Sequence, residues 1–220
     1  MPAWGNHDTT ENDPPYSFAQ AHFALPPHAT KNERYYSYTV GNAHFVAADS
    51  NTDATTAPGS LQYKWLENDL SAATKNQKIE WIIVYFHHNI YSAGGKYSNT
   101  ATPVREHFQP LFDRYGVDMV FHGHIHYYSR SMPAAYNEVI KDSAHTSGTP
   151  DQYNFEGKDH GQIYITTGGG GKPLYSCPNK LPAFIIQCAD AYSLGTFTIN
   201  GPNLTYKAIR SDGTILDNGF

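Results

Sequence analysis

Twelve histidines stand in 220 residues, and where they stand matters more than how many there are. Three groups follow apolar stretches or form turns: Gly5-Asn6-His7-Asp8, then His87-His88, then Gly123-His124-Ile125-His126. Neutral imidazole binds Fe, Zn or Mn and carries protons near neutral pH. His124 and His126 flank a single residue, so an extended backbone would point both rings to one side. Two imidazoles on one side suit one ion, or two ions a few ångströms apart. Gly123 allows the chain to turn sharply just before them. Taken singly, each group has an ordinary reading: a polar strand edge, a solvated turn, a Gly-Asn-His-Asp β-turn. Three such groups, each at an expected strand end, match a site built at the carboxyl ends of strands in an open α/β sheet.

The elements that must position these groups are legible in the pattern. Arg34 to Val40 alternates in part, Gly41-Asn42 turns, and Ala43 to Ala48 returns, which predicts a hairpin. Ser60 is a helix cap, with Leu61, Trp65, Leu66 and Leu70 expected on one buried face. Trp81 to Phe86 is a continuous apolar run and predicts a strand covered on both faces. Thr102 and Pro103 open a second helix, whose face is Val104, Phe108, Leu111, Phe112 and Tyr115 and whose stop is Gly116. Val117 to Phe121 and Gln162 to Thr167 are further strands, the latter running into Gly168-Gly169-Gly170-Gly171. That glycine run either lines the site or is a plain turn. Residues 8 to 33 read as a long irregular loop. Asn200-Gly201 and Asp212-Gly213 divide the tail into a β-meander over about 194–217. Alternating helices and strands followed by hairpins predict an α/β domain of mixed sheets flanked by helices over residues 1–220.

Composition removes several classes of function. The formal charge is −5 and only 15 residues are Lys or Arg, which excludes a nucleic-acid backbone as the main partner. No apolar run approaches the roughly 20 residues of a membrane span. Cys177 and Cys188 are either bridged or free thiols; sequence alone leaves both open. Asn203-Leu204-Thr205 is a glycosylation sequon.

The order Gly-Asn-His-Asp, Val84-x-x-His87, Gly123-His124-x-His126-x-Tyr128-x-Arg130 resembles the later motifs of the calcineurin-like metallophosphoesterases. The Tyr-x-Arg after the last histidine makes it most similar to the purple acid phosphatase branch. Gln62-x-x-Trp65-Leu66, Phe86-His87-His88-x-x-Tyr91-Ser92 and Tyr115-Gly116-Val117-Asp118 extend the likeness over nearly the whole chain. The resemblance implies a four-layer fold of mixed sheets between helices, and hydrolysis of a small phosphoester by a hydroxide held on two divalent or trivalent ions, Fe with Zn, Mn or Fe. It implies that Asn6, His87 and His124 bind one ion and His126 the other, and that His7 faces the substrate. His88, Asp8, Tyr128 and Arg130 would support these residues or face the substrate. It also implies an extracytoplasmic setting.

The chain departs from that pattern in its first motifs. Gly-Asp-x-Gly and Gly-Asp-x-x-Tyr, which bring carboxylates and a tyrosine to the metals, do not occur in it. Asn89 stands where proline is usual, and His122 where a small residue is usual. The expectation is therefore the later part of a domain whose N-terminal portion is missing, with an apolar strand edge or face left open. Such a chain would hold at most one ion. The alternative reading is a truncated, inactive metal-binding remnant.

Overall fold

A computed structural model of the chain describes residues 1–8, 17–26, 33–94, 102–136, 138–139, 150–153, 155 and 160–220. Its elements begin with α1 (Ser17–His22), β1 (Tyr36–Val40), β2 (Ala43–Ala47), α2 (Asp53–Thr56), α3 (Leu61–Lys75) and β3 (Trp81–Tyr85). They continue with α4 (Thr102–Tyr115), β4 (Met119–His122), β5 (Tyr128–Ser131), β6 (Ala134–Ala135), β7 (Glu138–Val139) and β8 (Ile163–Thr167). The tail holds β9 (Ile185–Ala189), β10 (Ser193–Asn200), β11 (Asn203–Arg210) and β12 (Ile215–Asp217).

Among the described residues, seven strands form the main sheet in the order β1-β2-β3-β4-β8-β5-β9. β2, β3, β4 and β8 run parallel, so their carboxyl ends share one rim. β1 closes one side as the antiparallel half of the expected hairpin. β5 and β9 close the other side, also antiparallel.

Side chains alternate across β3 as strand geometry dictates. Ile82 and Val84, with Phe86 just beyond, join Leu66 and Leu70 of α3 and Phe108, Leu111 and Phe112 of α4 in one buried cluster. Ile83 faces the other way, with Met119, Ile163 and Ile165, against Tyr206, Ala208 and Leu216 of the sheet β10-β11-β12. The described layers are thus helices, main sheet and small sheet. Each fully buried Leu or Phe here contributes roughly 1.5–3 kcal/mol.

Local chemistry explains the elements. Ser60 caps α3, its Oγ accepting from the Tyr63 N–H at 3.1 Å. The buried face of α3 is Gln62, Leu66, Leu70 and Ala73, whereas Leu61, expected inside, is 71% exposed. Gln62 takes the inward place because its amide is fully used there. It accepts from Asp49 N–H at 2.7 Å and donates to the Asp49 carbonyl at 2.8 Å. α4 buries the expected Val104, Phe108, Leu111 and Phe112. The meander is present, with Gly201 and Gly213 at positive φ in its two turns.

Other expectations need correction. The stretch read as an irregular loop contains α1; its residues 9–16 and 27–32 lie outside the described ones. β5, with the sequence YSRS, gave no strand signal, yet every one of its residues is buried. β10 is the edge of the small sheet, and its Leu194 and Phe197 are 56% and 38% exposed. No described helix is long and apolar enough to cross a membrane.

Candidate metal centre

The rim formed by the parallel strands carries the site. Past β3, Phe86 N–H donates to the Phe121 carbonyl at 3.1 Å, and Gly123 N–H to the His87 carbonyl at 3.0 Å. The ladder between β3 and β4 therefore runs on until it fixes His87 beside Gly123. His124 follows with φ of +61°, a left-handed conformation that His adopts more readily than most residues. The segment is thus a turn, and the extended geometry expected for His124 and His126 does not hold. Both rings nevertheless line one cleft.

Asn6 reaches the same point from outside the sheet. No described strand precedes it, contrary to the expected strand end. Trp4, 2% exposed, is packed with Leu25, Tyr36 and Ala47. Its indole donates to the Glu33 carbonyl at 3.0 Å, and its own carbonyl accepts from Asn51 Nδ2 at 3.0 Å. Asp8 closes the turn, its Oδ2 accepting from Gly5 N–H at 2.7 Å. Gly5 itself must be glycine, since a Cβ there would lie 2.8 Å from His87 Nδ1.

Three donor atoms converge. His87 Nε2 stands 2.7 Å from Asn6 Oδ1 and 3.0 Å from His124 Nδ1, and the latter two are 3.3 Å apart. Donors held at ~2.0–2.2 Å by one ion are separated by roughly 2.8–3.1 Å at right angles and by roughly 3.3–3.6 Å in a tetrahedron. With the ring protons on the far nitrogens of His87 and His124, three lone pairs converge, and a cation at their centre satisfies all of them. Burial, then the neighbouring His88 and His124, pushes the His87 pKa down to about 3. Burial, then His126 and His7, lowers that of His124. Both rings stay neutral and keep their lone pairs, so the residues present fit a metal ion.

His88 stands behind this trio. Its Nδ1 lies 3.0 Å from Ser50 Oγ, its ring 4.5 Å from that of His124, and its pKa falls to about 4 through burial and then His124. Ligand atoms of His87, His88 and His124 all lie within 4.8 Å of one another. The Asn6 trio is tighter, and His88 does not line the cleft, so the trio is the better single-ion set.

The cleft, about 440 Å³, is lined by the trio together with His7, His126, Lys172 and Tyr175. Gly168 and Gly170 line it as well, which answers the alternative left open for the glycine run. A Cβ on Gly168 would lie 1.9 Å from the Ile125 carbonyl oxygen, so β8 can abut the histidine turn only through glycine. His126 Nδ1 is 2.9 Å from the Pro173 carbonyl, its ring stacks on Tyr175 at 4.4 Å, and its carbonyl accepts from Tyr175 N–H at 2.9 Å. A carbonyl at Nδ1 selects the tautomer that leaves Nε2 as the ligand atom. Cys177 and Cys188 are bridged, which pins the end of this wall. Sequence reading missed Lys172 and Tyr175; their position just past the carboxyl end of β8 was the available signal. No carboxylate lines the cleft among the described residues.

Tyr128 and Arg130, expected as supporting or substrate-facing, point into the core. Both are at most 1% exposed. Arg130 donates to Asp217 from Nε at 2.7 Å and from Nη2 at 3.0 Å, and to Asp151 from Nη1 at 2.8 Å. Tyr128 donates to Asp217 at 2.7 Å. His122 is buried between Phe86 and Tyr164, with no hydrogen-bond partner on either ring nitrogen among the described residues.

Comparison with known proteins supplies the context. Residues 1–128 match the family model for calcineurin-like phosphoesterases, and residues 161–218 that for the iron/zinc purple acid phosphatase-like protein C. A nucleotide pyrophosphatase/phosphodiesterase of Hordeum vulgare is 29% identical over 83% of the chain and 49% of its own length. Purple acid phosphatase 13 of Arabidopsis thaliana is 31% identical over 76% of the chain and 28% of its own. The solved purple acid phosphatase of yellow lupin seeds superposes with a TM-score of 0.80 at 26% identity, over 98% of the chain and 38% of its own. The chain spans less than half the length of each of these proteins.

Proposed function

Since the chain belongs to the calcineurin-like phosphoesterase family, in its purple acid phosphatase-like branch, we propose that its cleft binds a metal ion at Asn6, His87 and His124 and serves hydrolysis of small phosphoesters. The observation that carries this reading is the convergence of the three donor atoms at 2.7, 3.0 and 3.3 Å. Bound there, an ion supplies Lewis-acid polarisation and an acidified water. His126, held by Pro173 and Tyr175, would offer Nε2 to a second ion. His7, exposed on the cleft wall, hydrogen-bonds a phosphoryl oxygen or delivers a proton to the leaving oxygen. Lys172, on the same wall, offsets negative charge on the substrate. Gly168 and Gly170 leave room for the phosphoryl group next to backbone.

A dinuclear centre needs more donors than His126 at its second position. With no carboxylate on the described lining, we expect this chain alone to hold one ion and to turn over slowly. That favours, for the chain by itself, the reading of a metal-binding but weakly active unit. The test is titration with Zn²⁺ or Co²⁺, followed by calorimetry and by metal analysis after desalting, beside p-nitrophenyl phosphate hydrolysis. One ion per chain with weak turnover is expected, and His124→Ala should abolish binding. Two ions per chain with full turnover would mean that other residues complete the site, and no binding at all would defeat the reading.

A further inference from the structure

His88 is the member of the histidine cluster that the Asn6, His87 and His124 trio leaves over. It follows His87 directly, so the chain leaving β3 sets down two imidazoles in succession. Ser50, just past β2, seats the second of them. Its Oγ accepts from the His88 backbone N–H at 3.1 Å and lies 3.0 Å from Nδ1. Ser50 is 4% exposed, so this clamp is shielded from water. A hydroxyl oxygen has two lone pairs and can accept from both N–H groups. That tautomer leaves the ring lone pair on Nε2, which makes no hydrogen bond to any described residue. A ligating histidine has this arrangement, one nitrogen held by a polar partner and the other left as the donor.

The ring also stands where a further donor is needed. It lies 4.9 Å from the His87 ring, at 87°, and 4.5 Å from the His124 ring. One ligand atom from each of the three residues falls within 4.8 Å of the other two. Donors at ~2.0–2.2 Å from one ion stand about 3.3–3.6 Å apart in a tetrahedron and about 4.0–4.4 Å apart when opposite. Rotation of the His88 side chain, without backbone movement, closes the difference. The direction of approach fits as well. Asn6, His87 and His124 line the cleft and His88 does not, so it reaches the ion from the protein side and leaves the cleft side open to water and substrate. No carboxylate among the described residues lines the cleft, which makes a third imidazole the ligand at hand.

We propose that His88 is itself a ligand, so that Asn6 Oδ1, His87 Nε2, His124 Nδ1 and His88 Nε2 hold one ion together. The inference rests on the metal reading of the cleft, and it adds a residue to which the family resemblance gives only a supporting place. Three imidazoles and one amide oxygen select Zn²⁺ or Co²⁺ over the harder Mg²⁺ and Ca²⁺.

X-ray absorption at the zinc edge of the full chain, loaded with Zn²⁺, counts the imidazoles around the ion without any substitution. Three are expected, and two overturn the inference while leaving the trio in place. His88→Phe then keeps a ring of similar size and removes the donor. It should weaken Co²⁺ binding, read by calorimetry, by more than about 100-fold, beyond the 10–100-fold that loss of a supporting residue costs. A metal-free melting temperature equal to that of the wild type shows that the variant is folded. A smaller loss of affinity in the folded variant makes His88 a packing residue and overturns the proposal. A wild-type chain that binds neither Zn²⁺ nor Co²⁺ defeats the metal reading itself, and this inference with it.

Discussion

Single residues decide this site through geometry as much as through chemistry. Gly168 is the clearest case, because an added Cβ would stand 1.9 Å from the Ile125 carbonyl oxygen. Gly168→Ala should therefore cost more than the about 1–3 kcal/mol of ordinary overpacking and should weaken metal binding through the displaced histidine turn. Gly170, whose added Cβ would meet nothing within 4 Å, is the control, and Gly170→Ala should melt close to wild type. Asp118 provides a pH-dependent test remote from the histidine cleft. It is 5% exposed, its Oδ2 accepts from Ile82 N–H at 2.7 Å, and His160 Nε2 lies 3.5 Å from its Oδ1. Burial raises its pKa to about 7, against the lowering pull of the Ile82 hydrogen bond. The folded value lies above the unfolded ~3.9, so the native chain retains a proton that the unfolded chain has released. This contribution to stability is full below about pH 4 and falls as pH rises toward about 7. Asp118→Asn keeps an acceptor for Ile82 and should flatten that part of the melting-temperature profile. A slope identical to wild type would remove Asp118 from the account.

Among elements, the wall that follows β8 holds His126 in place. Pro173 and Tyr175 fix the ring, and the Cys177–Cys188 bridge, eleven residues apart in sequence, ties the wall to β9. Closing a loop of that length is worth about 3 kcal/mol in the chain-entropy account. Replacing both cysteines by alanine should lower stability by about that amount. It should leave the affinity of the single ion expected at Asn6, His87 and His124 nearly unchanged. Calorimetric titration of the double variant checks this, and a large loss of affinity at that position would show that the bridge also shapes the trio.

For the whole molecule, the buried fork of Arg130 joins the layers. β5 belongs to the main sheet and Asp217 to β12 of the small sheet. Burial tends to raise the Asp217 pKa, but the bonds and charge of Arg130 outweigh it and hold the carboxyl below its usual value. Removing Asp217 leaves the buried Arg130 with Asp151 and Tyr153 but without its two bonds to Asp217, and leaves the Tyr128 hydroxyl without its acceptor; complete loss of a buried partner costs about 3–5 kcal/mol. Asp217→Ala should therefore destabilise the chain strongly in chemical denaturation, with loss of cooperativity between the layers. A change below about 1 kcal/mol would mean that solvent reaches Arg130 and replaces the pair.

Sequence alone determined much of this. The apolar run of β3, the helical face of α4, the cap at Ser60 and the glycine turns of the meander were readable because each depends on near neighbours in the chain. The histidine groups were readable because their types and order are unusual. Other features depended on contacts between residues far apart in the chain. YSRS becomes a buried strand only because Asp151 and Asp217, distant in sequence, satisfy Arg130 and Tyr128. Leu61 is exposed because Gln62 finds the backbone of Asp49. The same holds for the site: sequence gives the donors, but their separations of about 3 Å follow from the β3–β4 ladder, the left-handed His124 and the anchoring of Trp4. A metal responds to distances between donors, and those distances exist only in the folded chain.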